Sequence, residues 1–288
     1  MLSLPIVDTH VHLWDPTHFH MPWLDEIPIL KRLYGMQQYQ EQAMHLSIEA
    51  MICVEVNVLA EETLLEARWL SQQARADSHI QGIVAAAPIG ESASLHSYIE
   101  TLLTIDTRIK GVRRNIQGET IPGFCLQPAF VQDIQTLSEY DLSFDLCLIH
   151  SQLPDVIELV RLCPNTRFVL DHIGKPDIRR QVLDPWREHI QELATFPNVA
   201  CKISGMVTEA DHQRWTAEDI APYLEHIFTC FGEERVMFGG DWPVLLLASS
   251  YHHWVETVNA LTSHLTSSAK HKLWSANARR VYRLPAQE

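Results

Sequence analysis

The 288-residue chain is short of several things, and each shortage removes a class of function. Basic residues are few: 22 Lys and Arg stand against 36 Asp and Glu, for a formal net charge of −14. A surface of that sign suits neither nucleic acid nor an anionic membrane as a partner. None of the cysteines (Cys53, Cys125, Cys147, Cys163, Cys201 and Cys230) forms a C-x-x-C pair, which removes zinc knuckles and thioredoxin-type redox chemistry. Cys53, Cys147 and Cys201 sit inside apolar runs and read as buried thiols in a reducing compartment. No apolar run approaches the ~18 residues of a membrane span. The start, MLSLPIVDTHVHLWDP, lacks a basic stretch followed by an apolar one, so no signal peptide is read and the cytoplasm is expected. There is no G-x-S-x-G elbow, no H-E-x-x-H and no phosphate-binding P-loop, which disfavours α/β-hydrolases, zincins and nucleotide hydrolases.

What remains is an ordinary globular composition, 46% hydrophobic and 20% charged, in which short apolar runs alternate with longer amphipathic stretches. The runs lie at 6–10, 50–56, 80–88, 109–115, 142–149, 166–172, 198–204 and 235–241. Each has strand length, and several are apolar on consecutive residues, as strands covered on both faces are. Helical patterns fall between most of them, at 60–75, 130–140, 154–162, 184–196, 216–231, 253–261 and 268–282. Asp184-Pro185 reads as a helix start, with the Asp as cap. Eight strands alternating with helices predict parallel pairing through right-handed crossovers, and the length fits a (β/α)8 barrel of the TIM type. The rival, an open doubly wound sheet, would want a glycine-rich loop after the first strand, and DTHVHLWDP is not one. A long insertion at 14–45 follows strand 1 and is expected over the barrel mouth, with 1–288 forming a single domain.

Sixteen histidines make position, not number, the informative quantity. His10 and His12 end strand 1 at an i, i+2 spacing, so they share one face. In a barrel that face is the interior, and the C-terminal strand ends form the active site. Two imidazoles there can hold one divalent cation or jointly polarise a carbonyl; the plain alternative is two histidines in a turn. Asp241 follows an apolar strand and two glycines in VMFGGDWPV, where it can bind metal and act as general base on water. A helix cap is the alternative, less natural with Pro243 and four apolar residues following. His172 in FVLDHIGKP ends strand 6, and strand alternation allows only one of Asp171 and His172 to face the pore; His172 is taken as that one. Arg113 and Arg114 end strand 4, and one of them is expected inward to bind an anionic or hydroxyl-rich substrate. His150 follows strand 5 and offers a further imidazole. Lys202, between apolar neighbours on strand 7, needs a partner, either substrate or a buried carboxylate. Trp14, Trp23 and Trp242 are candidate pocket walls, although aromatic residues more often simply pack.

VDTHVHLWDP, VLDHIGKP, CKISG, FGGDWPV and the closing LWSANARRVYRL, in this order, resemble the amidohydrolase superfamily. They are most similar to its branch of sugar-lactone hydrolases, which includes the 2-pyrone-4,6-dicarboxylate lactonases. The resemblance implies a TIM-like barrel, His10 and His12 as the first-strand pair, His172 as the sixth-strand histidine and Asp241 as the eighth-strand aspartate. It implies hydrolysis of an L-fucono-, L-rhamnono- or L-galactono-type lactone as the small-molecule partner. Strand 4 departs from the binuclear members: Arg113 and Arg114 stand where a bridging lysine or glutamate would. That leaves at most one Zn2+ or Mn2+, held by His10, His12 and Asp241, with metal-free catalysis also open. The expected reaction has Asp241 as general base while His10, His12 and His172 stabilise the oxyanion. A metal-dependent decarboxylase of an unsaturated or aromatic acid is the alternative on the same barrel. A catalytically dead binding barrel is disfavoured, because an inert scaffold has no need to gather these four side chains. Oligomeric state is left open.

Overall fold

The eight apolar runs form eight strands: β1 Ile6–Val11, β2 Ile48–Val54, β3 Ile80–Ala86, β4 Ile109–Asn115, β5 Ser143–Cys147, β6 Arg167–Leu170, β7 Val199–Ile203 and β8 Val236–Phe238. The computed structural model describes residues 4–91 and 95–285. Within them the strands pair in sequence order, every pair parallel. Beyond the end of β8 the backbone closes the ring onto β1: His12 N–H donates to Trp242 O and Asp241 N–H to His10 O, both at 2.7 Å. The TIM-type barrel expected from the pattern is therefore present, and its eight strands are buried on both faces.

The helices are α1 Met36–Gln42, α2 Thr63–Ala76, α3 Leu95–Ile105, α4 Pro128–Thr136, α5 Leu153–Leu162, α6 Trp186–Leu193, α7 Ala217–Phe231, α8 Tyr251–Leu261, α9 Ser267–His271 and α10 Asn277–Val281, with a π-turn, Lys272–Ala276, between the last two. None is long and apolar enough to cross a membrane among the described residues. α3 is missing from the segments read in the sequence, although Leu95, Ile99 and Leu102 mark its buried face. The expected cap on α6 is corrected: the helix begins at Trp186, and the Asp184 carboxylate accepts from Arg187 Nη2 (2.8 Å) instead of from the helix backbone.

The lower half of the barrel is apolar. Val7, Ala50, Ile52, Val54, Val84, Val169, Ala200 and Met237 form one buried cluster with Ala278, Val281, Tyr282 and Leu284 of the C-terminal segment. Fully burying a side chain of this size contributes ~1.5–3 kcal/mol, so the plug anchors the strands from below. The 14–45 insertion carries α1 and two 3-10 turns. It is stitched to the body: Tyr39 OH donates to Asp8 Oδ2 (3.1 Å), and Trp23 Nε1 donates to Val56 O (2.7 Å).

Candidate active site

The buried ionisable side chains His10, Glu55, Arg113, Asp145, Asp171 and Lys202 gather inside the barrel above that plug. On β1 a register irregularity between Asp8 and Val11 sends Asp8 outward and leaves His10 and His12 facing the interior. Asp8 is buried, and its carboxylate accepts from His10 N–H (3.0 Å), Gly240 N–H (2.7 Å) and Tyr251 OH (2.7 Å). Burial pushes the Asp8 carboxyl up to about 6, against those donors. One carboxylate thus pins β1 to the segment carrying Asp241. A side chain at Gly240 would put Cβ 2.6 Å from Asp8 Oδ2, so glycine is required there.

β6 ends at Leu170, and the chain then coils with His172 and Ile173 in the left-handed region (φ 53° and 50°). Strand alternation no longer applies, and both Asp171 and His172 turn inward; the expectation that only one faces the pore is corrected. Asp241 likewise lies past the end of β8, at φ 55°. Gly205, at φ 60°, gives these side chains room, since a Cβ there would lie 2.5 Å from His172 Nδ1.

Four predicted residues meet at one point. His10 Nε2 and His12 Nε2 are 3.1 Å apart. Asp241 Oδ1 lies 3.8 Å from His10 Nε2, 3.6 Å from His12 Nε2 and 4.0 Å from His172 Nε2. His10 Nδ1 faces Asp171 Oδ1 at 3.2 Å, and His12 Nδ1 faces Val54 O at 2.9 Å. His12 Nδ1 donates to Val54 O, so its Nε2 presents a lone pair to the shared space, while His10 Nδ1 lies between the Asp171 carboxylate and the Lys202 ammonium (3.3 Å). His172 Nδ1 is held by Ser204 Oγ at 2.9 Å. All four residues are nearly closed off, His10 at 0% and His12 at 6% exposed. Burial pushes the His172 ring down to about 4, against the pull of Asp241 and Asp171. Burial alone would raise the Asp241 carboxyl, but the imidazoles of His172, His12 and His10 outweigh it and hold it well below the usual carboxylate range.

A second layer of charge supports this cluster, and sequence reasoning missed most of it. Arg113 is the inward one of the two arginines. Its guanidinium donates to Glu55 Oε1 (2.5 Å), Glu55 O (2.7 Å) and Asp171 Oδ2 (3.1 Å). Arg114 turns away to Glu91 (2.6 Å), Glu119 (2.9 Å) and Ile89 O, and stacks on Phe124. Lys202 finds the buried-carboxylate partners: Nζ lies 2.6 Å from Asp145 Oδ2 and 2.9 Å from Asp171 Oδ1. Fully buried, it supports the site from beneath and is not positioned to touch substrate, which corrects its place among substrate-binding residues. Burial would lower the Lys202 ammonium, but Asp145 and Asp171 outweigh it and raise it. Glu55, Asp145 and Ser204 are the residues not foreseen, and Asp171 was set aside in favour of His172. Asp145 was visible as a lone charge in LSFDLCLI, the same signal that singled out Lys202.

The tryptophan wall is also corrected. Trp14 and Trp242 are fully buried; Trp14 Nε1 donates to Arg32 O (2.9 Å), and the Trp242 ring packs edge-on against Tyr34 and Tyr39. Trp23, half-buried, donates to Val56 O and braces the insertion on the end of β2. His150 opens the turn His150–Gln152, and no hydrogen bond or ion pair joins it to the cluster among the described residues.

Two imidazole Nε2 atoms and one carboxylate oxygen converging on a single point are the donor set of a cation site. Their separations of 3.1–3.8 Å bracket the about 3.4 Å expected around a tetrahedral ion with ~2.0–2.1 Å bonds. The residues therefore fit one divalent ion. Arg113 and Lys202 flank the His10 ring with two fixed positive charges, at 3.4 Å from Nε2 and 3.3 Å from Nδ1, which oppose a second ion beside it.

Known proteins agree with this architecture. The family model described as amidohydrolase matches residues 7–284. An L-fucono-1,5-lactonase of Burkholderia multivorans is 31% identical over 295 residues, covering 97% of this chain and 96% of that protein. An L-rhamnono-gamma-lactonase of Scheffersomyces stipitis is 21% identical over 338 residues, covering 99% and 100%. An amidohydrolase from Burkholderia multivorans, solved with zinc bound, superposes with a TM-score of 0.89 at 29% identity, covering 97% of this chain and 99% of that one.

Proposed function

The chain belongs to the amidohydrolase family, and from that premise we propose that it opens the ring ester of a neutral sugar lactone of the L-fucono, L-rhamnono or L-galactono type. It is a hydrolase acting on carboxylic ester bonds. The observation that carries the finer reading is the meeting of His10, His12, His172 and Asp241 around one small space. The whole of 1–288 serves as one domain, and the cytoplasm suits its reduced cysteines.

His10, His12 and Asp241 would hold one divalent ion, Zn2+ or Mn2+, which would supply Lewis acidity toward the ester carbonyl and the attacking water. The chain's own groups divide the remaining work. Val54 O fixes the tautomer of His12, so that its Nε2 faces the reacting centre, and the Asp171 carboxylate beside Nδ1 braces the His10 ring. Asp241 takes the proton of the attacking water on its carboxylate. His172, oriented by Ser204, directs Nε2 toward the developing oxyanion, where a hydrogen bond is strongest because water is excluded. Protonated Asp241 then returns the proton to the ring oxygen as it leaves. An ester needs less leaving-group assistance than an amide, so one base and few acids suffice.

A neutral substrate is favoured over a dicarboxylate because the cations near the mouth are engaged. Arg113 is held by Glu55 and Asp171, Arg114 by Glu91 and Glu119, and Lys175 donates to Gln117 (2.6 Å) with Glu209 close by. The test is a pH-indicator assay over neutral sugar lactones, a pyrone dicarboxylate and aromatic acids, with and without a chelator, alongside CO2 detection. Acid release from a neutral sugar lactone is expected. Release of CO2 from an aromatic acid without lactone opening would overturn the reading in favour of a decarboxylase.

A further inference from the structure

A cavity of about 260 Å³ opens on the β2–β4 side of the barrel mouth. At ~30 Å³ per water it has room for roughly eight waters. Glu55 and Arg113 form its wall toward the cluster, and Arg113 Nη1 stands 3.4 Å from His10 Nε2, so cavity and reacting centre are one side chain apart. Ala86 and Ala87 leave the space unfilled, and Asn57 and Asn115 also line it.

We propose that this cavity is the subsite for the hydroxyl-bearing side of the lactone, and that Asn57 and Asn115 are the residues that select a polyhydroxylated ring. The inference rests on the lactonase reading above and goes beyond it by naming where and how the hydroxyls are read.

Three observations carry it. Asn57 sits at φ 56°, a conformation few non-glycine residues adopt, and asparagine is among those that do. Its N–H donates to Glu55 Oε2 at 2.6 Å, which folds the turn back onto the cavity wall. The Asn57 side-chain amide has no hydrogen-bond partner among the described residues. Asn115 lies two residues after Arg113 on β4 and so shares its inward face. Its Oδ1 accepts from Gln117 N–H (3.0 Å), leaving both amide N–H donors unused among the described residues.

The charges on the wall make the third observation. Glu55, Glu91 and Glu119 face the two guanidiniums of Arg113 and Arg114, all of them lining the cavity. Both arginines are spoken for by those carboxylates, so the wall carries a net negative charge. A carboxylate guest would be repelled. Hydroxyl groups donate and accept at once, and they match both the carboxylate acceptors and the free amides. A site built to hydrogen-bond substrate hydroxyls rejects the analogue that lacks them, because its polar groups are then left unpaired.

The experiment compares kcat/KM for a neutral polyhydroxylated δ-lactone with that for unsubstituted δ-valerolactone. It uses the wild type, Asn57→Gly, which keeps the left-handed backbone accessible, and Asn115→Ser. Each substitution is expected to lower the ratio of the two values by about tenfold or more, mainly through KM for the sugar lactone. An unchanged ratio in both variants would overturn the proposal, as would an equal fall on both substrates. A wild type that opens neither lactone would bring down the lactonase reading itself. That result differs from a wild type that prefers the sugar lactone and variants that keep the preference.

Discussion

The two halves of the barrel interior are built from opposite materials. Below, eight strand residues and four from the C-terminal segment form a purely apolar plug, broken only by the Tyr282 hydroxyl. Above, His10, Glu55, Arg113, Asp145, Asp171 and Lys202 are buried with almost no access to water. The lower half stabilises the fold by removing apolar surface from water. The upper half is expensive to bury and is tolerable only because each charge is paired. Geometry at the mouth is the return: two imidazoles braced by buried partners, and a carboxylate set against them. Tyr282 joins the halves, its hydroxyl reaching up from the plug to Asp145 Oδ2 at 2.6 Å.

Substitutions in each half sharpen this contrast. Lys202→Met would strand Asp145 and Asp171 without their shared ammonium and should cost ~3–5 kcal/mol in urea unfolding, the scale of breaking a buried ion pair. A cost below about 1 kcal/mol would mean that the upper half is not held by charge pairing. Met237→Ala opens a cavity in the plug and should cost ~2–5 kcal/mol, while kcat/KM stays within about twofold. A large loss of rate at unchanged stability would break the division of labour. Tyr282→Phe keeps the ring and removes one hydrogen bond to a charged group, for ~1.5–3 kcal/mol, read by the same unfolding assay. Ile29→Ser, on the 71% exposed tip of the insertion, should stay within about 0.5 kcal/mol.

The same contrast explains what could be read in advance. The lower strands were legible because residues buried on both faces give unbroken apolar runs, such as MICV at 51–54 and VMF at 236–238. The upper ends were legible only in part. His10 and His12 obey strand alternation and were placed correctly on one face. Asp171 and His172 do not, because the backbone leaves the strand at Leu170 and takes positive φ without a glycine to announce it. Arg113 and Arg114 remained a choice until the register set Gly111, Arg113 and Asn115 on one face beside Ser143, Asp145 and Cys147. Pairing was the least legible feature: Asp145 and Lys202 are 57 residues apart, and nothing local in either segment names the other. The tryptophans misled for the opposite reason. Their position near the mouth suggested pocket walls, but their area is more stabilising when buried, and Trp14 and Trp242 pack inside the insertion's seam.

The central claim is that separate strand ends assemble one hydrolytic centre in which Asp241 moves the proton. Steady-state hydrolysis of a neutral sugar lactone by the Asp241→Asn protein, with circular dichroism to confirm the fold, tests it most directly. The account requires at least about a hundredfold fall in kcat/KM, equivalent to ~2.7 kcal/mol of transition-state stabilisation, with the spectrum unchanged. Near-normal turnover by a folded Asp241→Asn protein would contradict it.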